Sequence, residues 1–435
     1  MVGAVALKES SDTEENLTVA SAGYIQTELG VIPNNWEVRE LGKIATVTRG
    51  ASPRPISDPG WFDEKSKVGW VRISDVTKSN MFLHETTQKL SQAGILKSRP
   101  VDKNSLIMSI CATVGRPIIT MIDTCIHDGF VVFQSPKVDK KYLYYSLQNI
   151  ESDWSKHGQT GSQMNLNTTL INSTKIRVPS KHGEQEAIAN ALSDADEWIF
   201  SLESLIEKKK KIKAGAMQSL LSGEKRLKGF DKKWERKPLD EISTLKGRIG
   251  WQGLKQTEFT QNPDQPYLIT GMNFKDGAIR WDEVYHISEE RYGIAPEIQL
   301  RPDDVLMTKD GTIGKVLFID NIPYPHKASL NSHLLVFRPI NEAYYPKYLY
   351  YQFQSDDFFN FIEKNKYGTT FFGISQAAIS TYSPFMPDRE EQIAIANILS
   401  DMDRELSELD EKLEKAKSIK QGMMQVLLTG KVRLV

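Results

Sequence analysis

The segment EQEAIANALSDAD at 184–196 returns as EQIAIANILSDMD at 391–403, identical at 10 of 13 positions with an offset of 207 residues. Extended without a gap, 184–227 and 391–434 agree at 24 of 44 positions. A repeat of that length constrains the fold before any element is assigned, because the chain must be two copies of one plan. Upstream the copies correspond more loosely: Trp36 with Trp234, KYLYY at 141–145 with KYLYY at 347–351, and LIMSICATVGR at 106–116 with VLMTKDGTIGK at 305–315. Each half is thus a variable globular part followed by a strongly repeated tail.

The tail has the period of a helix seam. In the second copy Ile395, Leu399, Met402, Leu406, Leu409, Leu413 and Ala416 are spaced 4-3-4-3-4-3, and Ile188, Leu192, Ala195, Ile199, Leu202, Ile206 and Lys209 repeat it in the first. That is the 3.5-residue period of a coiled coil. Both helices are expected to run on through Ile212 and Ile419 to a left-handed glycine cap at Gly223 and Gly430. Asp388 with Glu391 reads as the capping box that starts the second. About 35–40 residues at 1.5 Å each give a rod of roughly 50–60 Å.

The variable parts carry strand-like segments: VGWVRISDV (68–76), GFVVFQSP (129–136), VLFID (316–320) and HLLVFRP (333–339). KYLYYSLQ and KYLYYQFQ have helical spacing and suit short core helices. The predicted fold is α+β: two β-rich mixed domains separated by two long antiparallel coiled-coil helices, with a pseudo-twofold internal repeat. The boundaries expected are a disordered lead-in over 1–23, a first domain at 24–180, a first helix at 181–228, a second domain at 229–388 and a second helix at 389–435. Because the helices are alike and the domains have diverged, the natural reading is a ruler carrying two different reading heads.

Composition excludes several function classes. With 55 Lys+Arg against 56 Asp+Glu the formal charge is −1, so any polyanion-binding surface must be local. No apolar run approaches the ~18 residues of a membrane span. Cys111 and Cys125 are the only cysteines, which fits a reducing cytoplasm and leaves no disulfide framework. There is no G-x-x-x-x-G-K-[ST] loop for nucleotide phosphates and no polar-Pro-Pro-aromatic tetrapeptide of the kind an adenine methyltransferase uses. Pro302-Asp303 with Lys309 hints at a metal nuclease but reads better as a turn into a strand. His127, His326 and His333 lack paired ligand spacing, so no metal and no cofactor is expected. The run Lys208 to Lys211 reads as a solvated helix face, with DNA or a partner as the alternative contact.

GVIPNNWEVRELGKI at 30–44, GFDKKWERKPLDEI at 229–242, the two EQ-repeats and the endings LLSGEKRL and LLTGKVRL resemble the specificity subunit of a Type I restriction-modification enzyme, over roughly residues 24–435. The resemblance implies a non-catalytic reader of double-stranded DNA with two target recognition domains. It also implies helices that set the spacing between half-sites, two docked copies of a DNA adenine methyltransferase subunit, and ATP-dependent restriction subunits recruited to the assembly. Lys209 stands on the seam where the other copy has Ala416, so the two halves do not pack identically. A coiled-coil adaptor joining two proteins is the competing reading, but it leaves two polar-loop domains without a purpose.

Sequence reading by DNA-binding proteins needs donors and acceptors on loops that enter a groove, with cations that fix phosphates. In the first domain the candidates are Arg49, Arg54, Thr113, Arg116, Gln159, Thr160, Gln163 and Asn165. The second offers Lys246, Arg248, Trp251, Lys255, Lys309, Thr312, Lys315, Thr369 and Thr370. Gly115 and Gly314 are expected to let the backbone turn closely against a phosphate. The turns KDGTIGK and GQTGSQMN stand first among these segments.

Overall fold

The computed structural model describes residues 23–154, 166–274, 277, 279–370 and 372–434. The lead-in read over 1–23 therefore lies, apart from Gly23, outside the described residues. Two compact units are present, one formed by residues up to Leu202 together with Lys412 onward, the other by Glu203–Glu411. The long helices His182–Leu221 and Arg389–Leu427 each contribute to both units.

In the first unit a five-stranded sheet has the order Thr46–Arg49, Phe130–Gln134, Leu106–Ser109, Pro117–Thr120, Phe82–Leu83, beside a four-stranded sheet of Gln88–Lys89, Gly69–Val71, Thr124–Ile126 and Arg99–Val101. The second unit repeats this topology with fewer edge strands. Its four-stranded sheet runs Ser243–Lys246, Leu334–Pro339, Val305–Thr308, Val316–Phe318, and its three-stranded sheet runs Tyr285–His286, Tyr267–Ile269, Ala328–Leu330. Both smaller sheets contain one parallel pair, 69–71 with 124–126 and 267–269 with 328–330. Register is held by continuous apolar runs buried on both faces, such as Leu106, Ile107 and Met108 against Val131, Val132 and Phe133. The segment 68–76 departs from the expected strand. Only Gly69–Val71 is extended; Ile73–Lys78 is helical because the Asp75 carboxylate folds back to accept the Arg72 N–H at 2.9 Å and the Thr87 N–H at 3.1 Å.

Several strongly repeated residues of the tail make the same contacts in both units. Gln185 accepts the Asp139 N–H and donates to the Pro179 carbonyl; Gln392 does the same with Tyr345 and Pro387. Tyr145 donates to Asp196 at 2.8 Å, and Lys420 pairs with that carboxylate at 2.6 Å; Tyr351, Asp403 and Lys213 form the matching set. At the helix starts the buried Glu184 accepts the Trp36 indole N–H at 3.3 Å and the Arg433 Nη2 at 2.8 Å. Its counterpart Glu391 holds Trp234 at 2.9 Å and Arg226 through two bonds, at 2.9 and 2.7 Å. Within the first unit residues 184 and 196 thus meet 433 and 420, and within the second 209, 213 and 226 meet Glu405, Asp403 and Glu391, so the helices run antiparallel in each.

The seam residues Ile188, Leu192, Ile395 and Leu399 are buried in the unit cores. Ile212 and Ile419 are not: they are 47% and 43% exposed, since the positions facing inward there are Lys213 and Lys420. Gly223 and Gly430 adopt φ 75°, as expected of the caps. Asp388 caps the second helix by accepting the Glu391 N–H at 3.0 Å, but the Glu391 side chain is occupied by Arg226 and Trp234, so the reciprocal half of the capping box is absent. Removing one bond from the tyrosine set tests this packing. Tyr351→Phe is expected to lower stability by about 1.5 kcal/mol, the low end for a bond to a charged group because the Asp403 side chain is partly exposed, as read from denaturant unfolding.

Candidate nucleic-acid interface

A single turn recurs at the same end of the larger sheet in each unit. After Leu106–Ser109 the Gly115 N–H donates to the Ser109 carbonyl at 2.8 Å, and the Ser109 hydroxyl donates to the Thr113 carbonyl. After Val305–Thr308 the Gly314 N–H donates to Thr308 at 2.9 Å, and the Thr308 hydroxyl to Thr312 at 2.5 Å. Ala112 (φ 58°) and Gly311 (φ 75°) take the left-handed position in these turns. Each turn is tied to a following loop in the same way, by Leu166 N–H to the Ile110 carbonyl and Ile374 N–H to the Lys309 carbonyl, both 2.9 Å.

On this shared frame the side chains differ. Thr312 and Lys315 are exposed, whereas Thr113 and Arg116 are half-buried, with Arg116 Nη2 3.4 Å from the Ser79 carbonyl. Thr369 and Thr370 are exposed on a loop closed by reciprocal 2.9 Å backbone bonds between Tyr367 and Gly373, and Gly311 N–H joins that loop at Phe372. The structure therefore brings Lys309, Thr312, Lys315, Thr369 and Thr370 into one region. Gln159, Thr160, Gln163 and Asn165 lie outside the described residues. At Gly314 a Cβ would make ordinary van der Waals contact with Ile362 at 3.8 Å, so the left-handed backbone, φ 79°, and not space is what favours glycine there. Gly115 serves another purpose than phosphate approach: a Cβ there would lie 2.1 Å from Trp154, so the glycine seats an indole.

Arg49 and Arg54 are exposed and converge on Asp128. The Arg49 Nε donates to the Asp128 carbonyl at 2.7 Å, Arg54 Nη2 approaches the carboxylate at 3.2 Å, and the Ser52 hydroxyl donates to it at 2.5 Å. The Ser52 bond is the main reason that this carboxyl is held below its ordinary range, with Arg54 contributing. Arg99 extends the cluster by donating to the Arg49 carbonyl at 2.6 Å. Burial keeps the adjacent His127 below the usual imidazole range and pushes the Cys111 thiol up. In the second unit Asp310, at the position of Cys111, accepts from Lys309 Nζ at 2.9 Å and faces His333 Nδ1 at 3.1 Å.

Arg248 is corrected from the sequence expectation. It is buried, and its guanidinium donates to the Leu330 carbonyl at 2.8 Å, the Ser329 hydroxyl at 3.0 Å and the Gln252 carbonyl at 3.3 Å. Burial, aided by Arg291, brings its pKa down to about 10. Such an arginine builds the domain, with all three of its nitrogens bonded inside it. Lys246 and Lys255 are exposed, Lys255 at the start of the short turn Gln256–Glu258, and Trp251 lies in the turn Gly250–Gln252. Sequence reasoning missed Asp128, Arg99, Asp310 and His333. A carboxylate beside cations is the usable signal, and KDGTIGK contains one.

Among the described residues, Asp139, His182 and Glu186 place ligand atoms within 4.8 Å of one another. Asp139 already accepts the Tyr142 N–H as a helix cap, His182 faces Glu186 at 3.3 Å, and the second unit has Tyr345, Arg389 and Ile393 at those positions. No helix among the described residues is long and apolar enough to cross a membrane.

The family model described as Type I restriction modification DNA specificity domain matches this sequence twice, over residues 33–214 and 231–418. The chain belongs to this family. Each match begins before the Trp36 or Trp234 of the buried clasp and ends inside a long helix. Among relatives of this specificity-domain family, the Type I restriction enzyme MjaVIII specificity subunit of Methanocaldococcus jannaschii is 26% identical over 421 residues, covering 93% of this chain and 94% of the relative. The putative type I restriction enzyme MjaX specificity subunit of the same organism is 24% identical over 443 residues, covering 94% and 97%. The fold is similar to that of the Type I restriction-modification S subunit from M. genitalium, with a TM-score of 0.58 at 16% identity over 90% of this chain and 96% of that one.

Proposed function

We propose that the chain is the DNA sequence-specificity subunit of a Type I restriction-modification system, reading a bipartite asymmetric site with one half-site per recognition domain. The observation that carries this reading is the turn at the sheet end. Its hydrogen bonds are the same in both units, while the side chains displayed differ: Cys111 against Asp310, Arg116 against Lys315, Gly129 against His333. A constant frame with variable donors suits two heads that read different bases.

The subunit is non-catalytic on this reading, consistent with a sequence that lacks the methyltransferase and nucleotide-binding motifs. Its paired helices set the gap between half-sites and dock two methyltransferase subunits, and restriction subunits join that complex. Helices 181–228 and 389–435 then form the spacer, with recognition domains at 24–180 and 229–388. A net charge of −1 releases few counterions, so tight binding needs the added basic surface of the methyltransferase.

Genome-wide methylation mapping in cells carrying the chain and its methyltransferase tests the proposal. A two-part motif with a fixed gap is expected; a contiguous motif would sink it. Thr312→Ala combined with Lys315→Ala should relax one half-site only. Neither side chain is a bidentate fork, so the loss of discrimination sits near the low end of the range, roughly 1 kcal/mol, or about fivefold. Equal loss at both half-sites in a binding competition would assign the turn to a shared non-specific surface.

A further inference from the structure

In the Asp128 cluster the carboxylate is held by Arg54 and Ser52, while Arg49 donates to the Asp128 backbone carbonyl and Arg99 to the Arg49 carbonyl. An ion pair as exposed as that of Arg54 with Asp128 contributes little to stability. The Arg54 side chain is 73% exposed, and its bond to Asp128 engages one N–H of Nη2. A guanidinium bound there retains one complete two-donor edge, which matches the O6 and N7 acceptors of guanine. Asp128 is itself fixed through Ser52, so it can hold the arginine in one orientation. A carboxylate would be repelled beside a phosphate, whereas at a base edge it can accept from the cytosine amino group. The pair is therefore complementary to a G·C base pair and not to the backbone.

Resting on the DNA-reading function above, we infer that Arg54 reads a guanine in the half-site of the first unit, with Asp128 as its positioning residue. At the same end of the second unit's sheet a carboxylate again holds a cation, Asp310 with Lys309, and His333 Nδ1 lies 3.1 Å from that carboxylate. Arg49 and Arg99 each commit Nε to a backbone carbonyl and retain their remaining N–H groups for phosphates.

The experiment uses the complex with the methyltransferase and duplexes bearing the mapped site, each half-site position being exchanged in turn. Arg54→Ala is expected to reduce discrimination at one G·C pair of one half-site by about 5- to 150-fold, leaving the other half-site and the gap unchanged. Arg54→Lys, which keeps the charge without a two-donor edge, should relax the same pair. Asp128→Asn should also act at that pair alone, and combined with Arg54→Ala should add nothing further. Uniform weakening on every duplex would put Arg54 on the phosphate backbone and overturn the inference, as would full discrimination by the lysine variant. A wild-type complex that maps a bipartite motif while Arg54→Ala leaves every position unchanged refutes the inference but not the function; a wild-type complex with no such motif refutes both.

Discussion

Glu184→Ala is expected to lower the melting temperature of the chain by roughly 5–10 °C. The lost carboxylate is buried and receives the Trp36 indole N–H and two guanidinium N–H groups of Arg433. Truncation leaves a buried donor and a cation facing an empty space. Removing one partner of a buried ion pair costs about 3–5 kcal/mol. Arg433 is 23% exposed, so water can reach it and the lower figure of about 2–3 kcal/mol is appropriate. At roughly 2–4 °C per kcal/mol for a unit of this size, the shift follows. Glu184→Gln, which keeps one acceptor oxygen, should lose about half as much. A shift below about 1 °C in calorimetry would show that the clasp is an ordinary surface contact.

The same clasp shows what the sequence made legible. Glu184, Gln185, Ser193 and Asp196 recur as Glu391, Gln392, Ser400 and Asp403 because each bonds a residue of the globular part or of the other helix, and those partners recur too. Identity between halves therefore located the packing correctly. It did not measure burial: Ile212 and Ile419 are identical yet exposed, because the lysines beside them face inward to reach Asp403 and Asp196. Local pattern also failed where a distant partner decides the outcome. Ile73–Lys78 looked like the rest of a strand until Asp75 met Thr87, and Arg248 looked like a loop cation until Ser329 and Leu330 enclosed it. The Asp128 cluster was invisible for the same reason, since its members lie 74 to 79 positions from Asp128 or reach it through Arg49. Which loop residues read bases is set by such long-range contacts and not by composition.

Inserting four residues after Leu202, matched by four after Glu411, is expected to lengthen the gap between methylated half-sites without changing either half-site. The chain passes between its two units twice, once inside each long helix, at Leu202–Glu203 and Glu411–Lys412. Both crossings are therefore lengthened by the same four residues. Four residues add roughly 6 Å at 1.5 Å per residue, close to two base pairs at 3.4 Å each. They also complete slightly more than one turn, and a four-residue step already alternates with three in the 3.5-residue pattern, so Leu202, Ile206, Leu409 and Leu413 stay near their faces. Every clasp lies wholly within one unit and is untouched: Glu184 with Arg433, Glu391 with Arg226, Asp196 with Lys420, Asp403 with Lys213. The turns at 110–116 and 309–315 each lie within one unit and contain neither insertion point. Methylation mapping of the doubly extended chain should thus return the original half-sites separated by one or two more base pairs. An unchanged gap at full activity would mean that the distance is set by the partner subunits and not by the helices.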